Sequence, residues 1–262
     1  MLSVTGLTKA YGGRAVLQGL DFEVPAGQSV ALIGANGSGK TTTLRCIAGL
    51  VRPGGGRITV RGVDVGAAPT AALGRMSYLP QRPSFPATLT VLETLRFVAR
   101  LRSLSPSVVD RELDACAIAH LASRHVHELS GGERQRLALA AALLQPVDLY
   151  LFDEPSANLD PAALRILFRR AADLKREGRT LLFTTHVLPD LRHLATRVLV
   201  LADGRIHADG SGAFELKRYE RLLGGAYWSD DDDDELADGG GGAGGVAEPR
   251  VFGFPRAAAG AR

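Results

Sequence analysis

The sequence predicts an α/β fold built on a parallel or mixed sheet, with antiparallel strands at its N-terminal end and a helical subdomain set into its middle. Three observations predict it. Short apolar runs alternate with helical stretches over residues 149–202. Turn-bounded strand patterns fill residues 2–33, and helical spacing dominates residues 90–144.

Residues 2–7 and 17–24 read as strands, the second alternating loosely and closed by Pro25-Ala26-Gly27. Residues 29–33 form the short apolar run typical of a buried strand feeding a glycine loop. A helix is expected over 41–50, stopped by Pro53-Gly54-Gly55-Gly56, and further strands over 57–61 and 76–79. From 90 to 102 the apolar positions Val91, Leu92, Leu95, Phe97, Val98 and Leu101 recur at helical spacing. Two more helical stretches follow, 106–121 and 132–144, the second rich in Ala and Leu. Afterwards strands at 149–152, 180–184 and 198–202 alternate with helices at 161–177 and 189–195, the pattern of a parallel sheet.

The 262 residues suffice for one good-sized domain with a subdomain inserted. No apolar run reaches the ~18 residues of a membrane span, and the nearest, 137–144, is broken by Gln145, Pro146 and Asp148. Met1-Leu2-Ser3-Val4 lacks the basic-then-apolar layout of a secretory signal. Cys46 and Cys116 form no metal-type spacing, so a reduced cytosolic setting is expected.

The formal charge of +3 hides a split. Residues 230–262 carry eight acids and three arginines, a net of −5, which leaves the rest of the chain at +8. A basic body suits nucleic acid, anionic headgroups, a nucleotide, or simply a solvated surface. No basic run with interleaved aromatics singles out nucleic acid. The acidic run 230–235, the glycines 239–242 and the Ala/Gly/Arg-rich end cannot bury enough apolar surface to offset ordering entropy, so disorder is expected beyond about residue 229.

Gly34-Ala35-Asn36-Gly37-Ser38-Gly39-Lys40-Thr41 fits the phosphate-binding loop in full, and Thr42 continues it into a helix. Its glycines let successive N–H groups converge on phosphate oxygens, and the helix N-terminus adds its positive end. Lys40 is expected to reach the β- and γ-phosphates and the Thr41 hydroxyl to ligate Mg²⁺. The strand at 149–152 runs into Asp153-Glu154, and carboxylates beside such a strand need a cation or hydrogen bonds in compensation. Asp153 is the natural Mg²⁺ partner, directly or through water, and Glu154 then orients and activates the attacking water. Ser130, Gly131 and Gly132 can present a hydroxyl and backbone N–H groups at the start of a helix, a second anion site.

Leu129-Ser130-Gly131-Gly132-Glu133, the Lys40 loop and the Asp153-Glu154 strand, in this order and spacing, resemble the ATP-binding cassette (ABC) ATPases. The resemblance covers roughly residues 1–220 and implies a P-loop NTPase core, with a helical subdomain of about 82–136 and an unassigned tail, 221–262. It implies that two subunits, a homodimer by expectation, pack head-to-tail so that each LSGGE segment caps ATP held by the other. Asp160, in Ser156-Ala157-Asn158-Leu159-Asp160, would then lie at that interface. His186, which alone would read as structural, corresponds to a histidine contacting the γ-phosphate. Gln81, otherwise a surface loop residue, matches the glutamine that senses Mg²⁺ and the γ-phosphate. Tyr11, otherwise an exposed turn aromatic, matches the residue that stacks on adenine.

The resemblance also implies ATP hydrolysis that drives a separate transmembrane permease, docked near residues 81–90 on the cytoplasmic face of the inner membrane. The stretches 83–95 and 186–189 look somewhat like ATPases serving ABC-2-type permeases, and an importer subunit for an ion, metal or small nutrient is the other subclass the resemblance leaves open. A soluble ABC ATPase working on DNA or ribosomes, or acting as a nucleotide sensor, is the alternative. Only residues 42–128 separate the loop from LSGGE, without sustained heptads, and the chain has one cassette, so nucleic acid is not expected as a partner.

Overall fold

The computed structural model describes residues 1–157, 159–185 and 193–211. Its strands are β1 (Leu2–Tyr11), β2 (Arg14–Val24), β3 (Ser29–Ile33), β4 (Gly55–Val60), β5 (Val63–Asp64), β6 (Met76–Leu79), β7 (Leu149–Asp153), β8 (Thr180–Thr184), β9 (Arg197–Ala202) and β10 (Arg205–Ser211). Its helices are α1 (Lys40–Ile47), α2 (Pro69–Leu73), α3 (Val91–Leu101), α4 (Ser107–Ala115), α5 (Gly131–Leu143) and α6 (Pro161–Arg176).

Two sheets organise these elements. A four-stranded antiparallel sheet runs β2-β1-β4-β5, and a six-stranded sheet runs β10-β9-β3-β8-β7-β6. In the larger sheet every pairing is parallel except that of β9 with β10. Parallel neighbours need a crossover, and the helices supply it. The expected α/β class, with its antiparallel N-terminal part, is the one observed.

Period-two alternation along the parallel strands sorts the core into two clusters. Ile33, Phe152, Phe183 and Val200 face helices α3 to α6, packing with Leu95, Leu113, Leu137 and Leu167. Leu32, Leu151, Leu182 and Leu201 face the other way, onto Leu44 and Ile47 of α1 and onto Leu2, Leu7 and Leu20 of the antiparallel sheet. The helical stretch between β6 and β7 therefore shares one core with the sheet. It is also pinned electrostatically: Arg170 of α6 donates to the buried Glu112 of α4 at 2.7 Å.

Several elements differ from the sequence expectation. Residues 106–121 are not one helix: α4 ends at Ala115, Ala117 takes a positive φ of 51°, and a short 3₁₀ turn covers Ala119–Leu121. A continuous helix would point Cys116 and Ile118 apart, whereas the break lets both be fully buried. The first helix ends at Ile47 rather than 50, with Gly49 at φ 68° closing it. β5, α2 and β10 had no counterpart in the expected elements; β5 and α2 span two and five residues, too short for a periodicity to register. Among the described residues no helix is long and apolar enough to cross a membrane. Most of the helix expected over 189–195, and the tail beyond 211, lie outside the described residues.

Candidate nucleotide-binding site

The loop from Gly34 to Gly39 leaves the C-terminal end of β3 and enters α1, whose first residue is Lys40. Only glycine fits at its two ends. A Cβ at Gly34 would stand 2.1 Å from the Leu201 carbonyl oxygen, and one at Gly39 would stand 2.6 Å from Leu17 Cδ2, where φ is also 110°. Lys40 Nζ donates to the carbonyls of Gly34 at 2.7 Å and Ala35 at 3.1 Å, so its charge is held over the loop. Burial pushes the Lys40 pKa below the ordinary lysine value, while Glu154 and Asp153 pull it back up. Ser38 Oγ is buried without a hydrogen-bond partner. A cradle closed to side chains, with a cation and an orphaned hydroxyl, fits a polyphosphate.

The two carboxylates stand on the neighbouring strand end. Asp153 is the last residue of β7 and has no exposed surface. Its Oδ1 accepts from Thr41 Oγ1 at 3.0 Å and Thr184 Oγ1 at 2.8 Å, and its Oδ2 accepts from Tyr78 OH at 3.2 Å. Burial pushes the Tyr78 phenol up to about 12, with Asp153 adding to the shift, so this hydroxyl stays protonated and donates. Glu154 follows in the left-handed region at φ 46°. For a non-glycine residue this costs about 1 kcal/mol or more, and such strain clusters at functional sites. Gln81 Nε2 donates to Glu154 Oε2 at 2.6 Å, across 73 residues of sequence.

Thr41 and Asp153 offer a hydroxyl and a carboxylate oxygen within one hydrogen bond of each other, hard donors that suit Mg²⁺. No cluster of three His, Cys, Asp or Glu side chains able to hold a metal occurs among the described residues. A cation here would thus complete its shell from phosphate and water, as Mg²⁺ ordinarily does.

Tyr11, Asn36, Gly37, Gly39, Lys40, Thr41, Thr42, Gln81 and Glu154 all line one open cleft of about 770 Å³, large enough for a nucleotide. Tyr11 lies at its mouth, about half exposed, with Lys9 Nζ 5.0 Å from its ring centroid. Sequence reasoning missed part of the lining: Arg14, Val16, Gln18, Asp203 and Gly204. Gln18 donates from its backbone to Gly204 O at 2.9 Å and from its side chain to Asp203 O at 3.0 Å, which draws the β9–β10 hairpin against β2. The Asp203-Gly204 dipeptide is a hairpin signal, and it could have revealed β10. That its turn reaches the cleft depends on a contact 185 residues away in sequence.

Ser130, Gly131 and Gly132 are not part of this cleft lining. Ser130 is the N-cap of α5: its Oγ accepts from Glu133 N at 3.2 Å and Glu133 Oε2 accepts from Ser130 N at 2.7 Å, a capping box. Asp160 caps α6 by accepting from Ala163 N at 2.7 Å. A Cβ on Gly132 would stand 3.3 Å from Asp160 Oδ2, so this carboxylate lies against the start of α5 in the same subunit. His186 falls outside the described residues.

The ABC transporter family model matches residues 17–157, which span the loop, the LSGGE segment and both carboxylates. The chain belongs to this family. The cassette is 36% identical over 214 residues to a Nod factor export ATP-binding protein I of Cupriavidus pinatubonensis, covering 80% of this chain and 66% of that protein. It is 37% identical to the protein of the same description from Rhizobium meliloti, covering 80% and 64%. The chain thus spans just under two thirds of the length of these two relatives. A solved ATP-binding subunit of an ABC transporter superposes with a TM-score of 0.76 at 32% identity, covering 86% of this chain and 93% of that one. The P-loop NTPase core and the ABC resemblance read from the sequence are both upheld.

Proposed function

We propose that this chain is the ATP-hydrolysing subunit of a membrane transporter, driving a permease formed by a separate chain through ATP-dependent head-to-tail pairing of two cassettes. One observation carries the reading. Lys40, Thr41, Gln81 and Glu154 face one cleft, while Ser130 to Gly132 form a helix N-terminus that contributes nothing to it. That separation supports assigning the N–H groups at the start of α5 to phosphate held by another subunit.

Each residue then has a task. The loop N–H groups and Lys40 hold the phosphates, Thr42 and Asn36 line their approach, and Tyr11 offers a ring face to the base. Mg²⁺, held by Thr41 and Asp153 and sensed by Gln81, would neutralise charge on the β- and γ-phosphates. Glu154 accepts the proton of the attacking water, and the Gln81 amide fixes its carboxylate for that work. His186 is assigned to the γ-phosphate side, and Asp160 to the subunit interface. The products are ADP and phosphate, and their formation removes what joins the two cassettes.

Residues 1–220 are assigned to the ABC ATPase domain, with the helical subdomain at about 82–136 and a tail at 221–262. The permease is assigned to the surface around residues 81–90, which puts the complex on the cytoplasmic face of the cell (inner) membrane. The names of the relatives support export, and a permease of the ABC-2 type is the form we favour.

Complementation tests the reading. Lys40→Ala and Ser130→Arg chains should each hydrolyse ATP poorly alone. An equimolar mixture should recover turnover, because a pair of the two holds one composite site with both parts intact. No recovery in a mixture that binds ATP would sink the head-to-tail arrangement.

A further inference from the structure

We infer that Thr184 is a positioning residue that sets the metal-binding and water-orienting carboxylates with a single hydroxyl. The inference rests on the functional reading above and deepens it. Asp153 and Thr184 are register partners at the ends of the parallel strands β7 and β8, so their side chains leave the same face of the sheet. Thr184 Oγ1 donates to Asp153 Oδ1 at 2.8 Å and accepts from the Glu154 backbone N–H at 2.9 Å. The Thr184 carbonyl also accepts from Glu154 N, at 3.2 Å. Thr184 is fully buried, so water cannot replace its hydroxyl.

The consequence is geometric. A hydroxyl has one proton to give, and here Asp153 receives it. One of its two lone pairs is then aimed at the N–H of Glu154, whose backbone sits at φ 46°. That acceptor helps retain a conformation a glutamate does not ordinarily adopt. Tyr78, bonded to the other oxygen of Asp153 at 3.2 Å, keeps the carboxylate from rotating and leaves Oδ1 beside Thr41. Thr184 thus ties the end of β8 to Asp153 and to the backbone of Glu154, two positions before His186, assigned above to the γ-phosphate.

The test compares Thr184→Val, an isosteric change without the hydroxyl, with Thr184→Ser, which keeps it. Binding of a fluorescent ATP analogue is measured with and without Mg²⁺, alongside steady-state turnover. Thr184→Val should bind the analogue without Mg²⁺ within about twofold of the parent. It should need at least threefold more Mg²⁺ for half-maximal binding enhancement and lose at least fivefold in kcat. Thr184→Ser should restore both, and circular dichroism with thermal unfolding would verify that each variant folds. Equal Mg²⁺ requirement and kcat in Thr184→Val and the parent would overturn the inference, as would a Thr184→Ser variant no better than Thr184→Val. If the parent itself fails to bind the analogue, the ATPase reading falls first. Should Thr184→Val not fold, Thr184→Cys, whose thiol is only a weak donor and acceptor, takes its place, and an unchanged Mg²⁺ requirement and kcat there would count equally against the inference.

Discussion

Gln81 and Glu154 meet at 2.6 Å, joining the loop that leaves β6 to the carboxylate that leaves β7. The two strands are parallel neighbours, so their C-terminal ends open at the same edge of the sheet. Gln81→Ala removes one hydrogen bond from the Glu154 carboxylate without touching the phosphate loop. Turnover should fall about tenfold, or about 1.4 kcal/mol of barrier, with ATP affinity within about twofold. Steady-state hydrolysis beside equilibrium nucleotide binding would show it, and an equal loss in both would contradict the orienting role.

Glu154→Gln keeps the size of the side chain and removes its basicity. Hydrolysis should drop by about 10²-fold or more, while ATP binding persists. With ATP and Mg²⁺ present the variant should elute from a sizing column as a dimer. A monomer under those conditions would count against two cassettes sharing ATP.

Lys40 carries a pH signature. Burial lowers its pKa in the folded chain, so between that value and the ordinary lysine value of 10.5 the unfolded chain holds more protons. Stability of the nucleotide-free protein should therefore rise with pH in the window just below 10.5, relative to Lys40→Met, which lacks the titrating group. Thermal unfolding of both proteins from pH 8 upward measures the difference, and parallel curves would refute it. Lys40→Ala should abolish ATP binding; near-normal affinity would remove the phosphate-loop assignment.

Glu112 and Arg170 tie α4 to α6 inside the protein. Removing the buried cation, as in Arg170→Ala, leaves a carboxylate that is 2% exposed with the longer 3.4 Å contact of the exposed Arg111, and should cost about 3 kcal/mol. Burial already raises the Glu112 pKa against the pull of Arg170 and Arg111, so the variant should raise it further. A carboxylate with a raised folded pKa loses stability as pH climbs through the window above its usual value of 4.5. The deficit of Arg170→Ala should thus be larger at pH 7 than at pH 5, as read by denaturant unfolding.

Much of the site was legible because its chemistry is local. The loop from Gly34 to Thr41 needs small residues and a cation at fixed spacing, and Asp153-Glu154 needs an apolar strand before it. The capping box at Ser130 is likewise written in four consecutive residues. Thr184, Tyr78, Gln18 and Asp203 were not legible as site residues. Each is an ordinary strand or turn residue, and its role comes from neighbours 31, 75 or 185 positions away.

Periodicity and loop chemistry depend on near neighbours, so the fold class, the family and the candidate residues for phosphate and a cation could be read along the chain. Tertiary structure decided what those residues face. Only strand register brought Thr184 beside Asp153, and only packing of the helical stretch onto the sheet left Ser130 outside the cleft that Lys40 lines. Register and packing are set by burial summed over distant segments, which no local window of sequence contains.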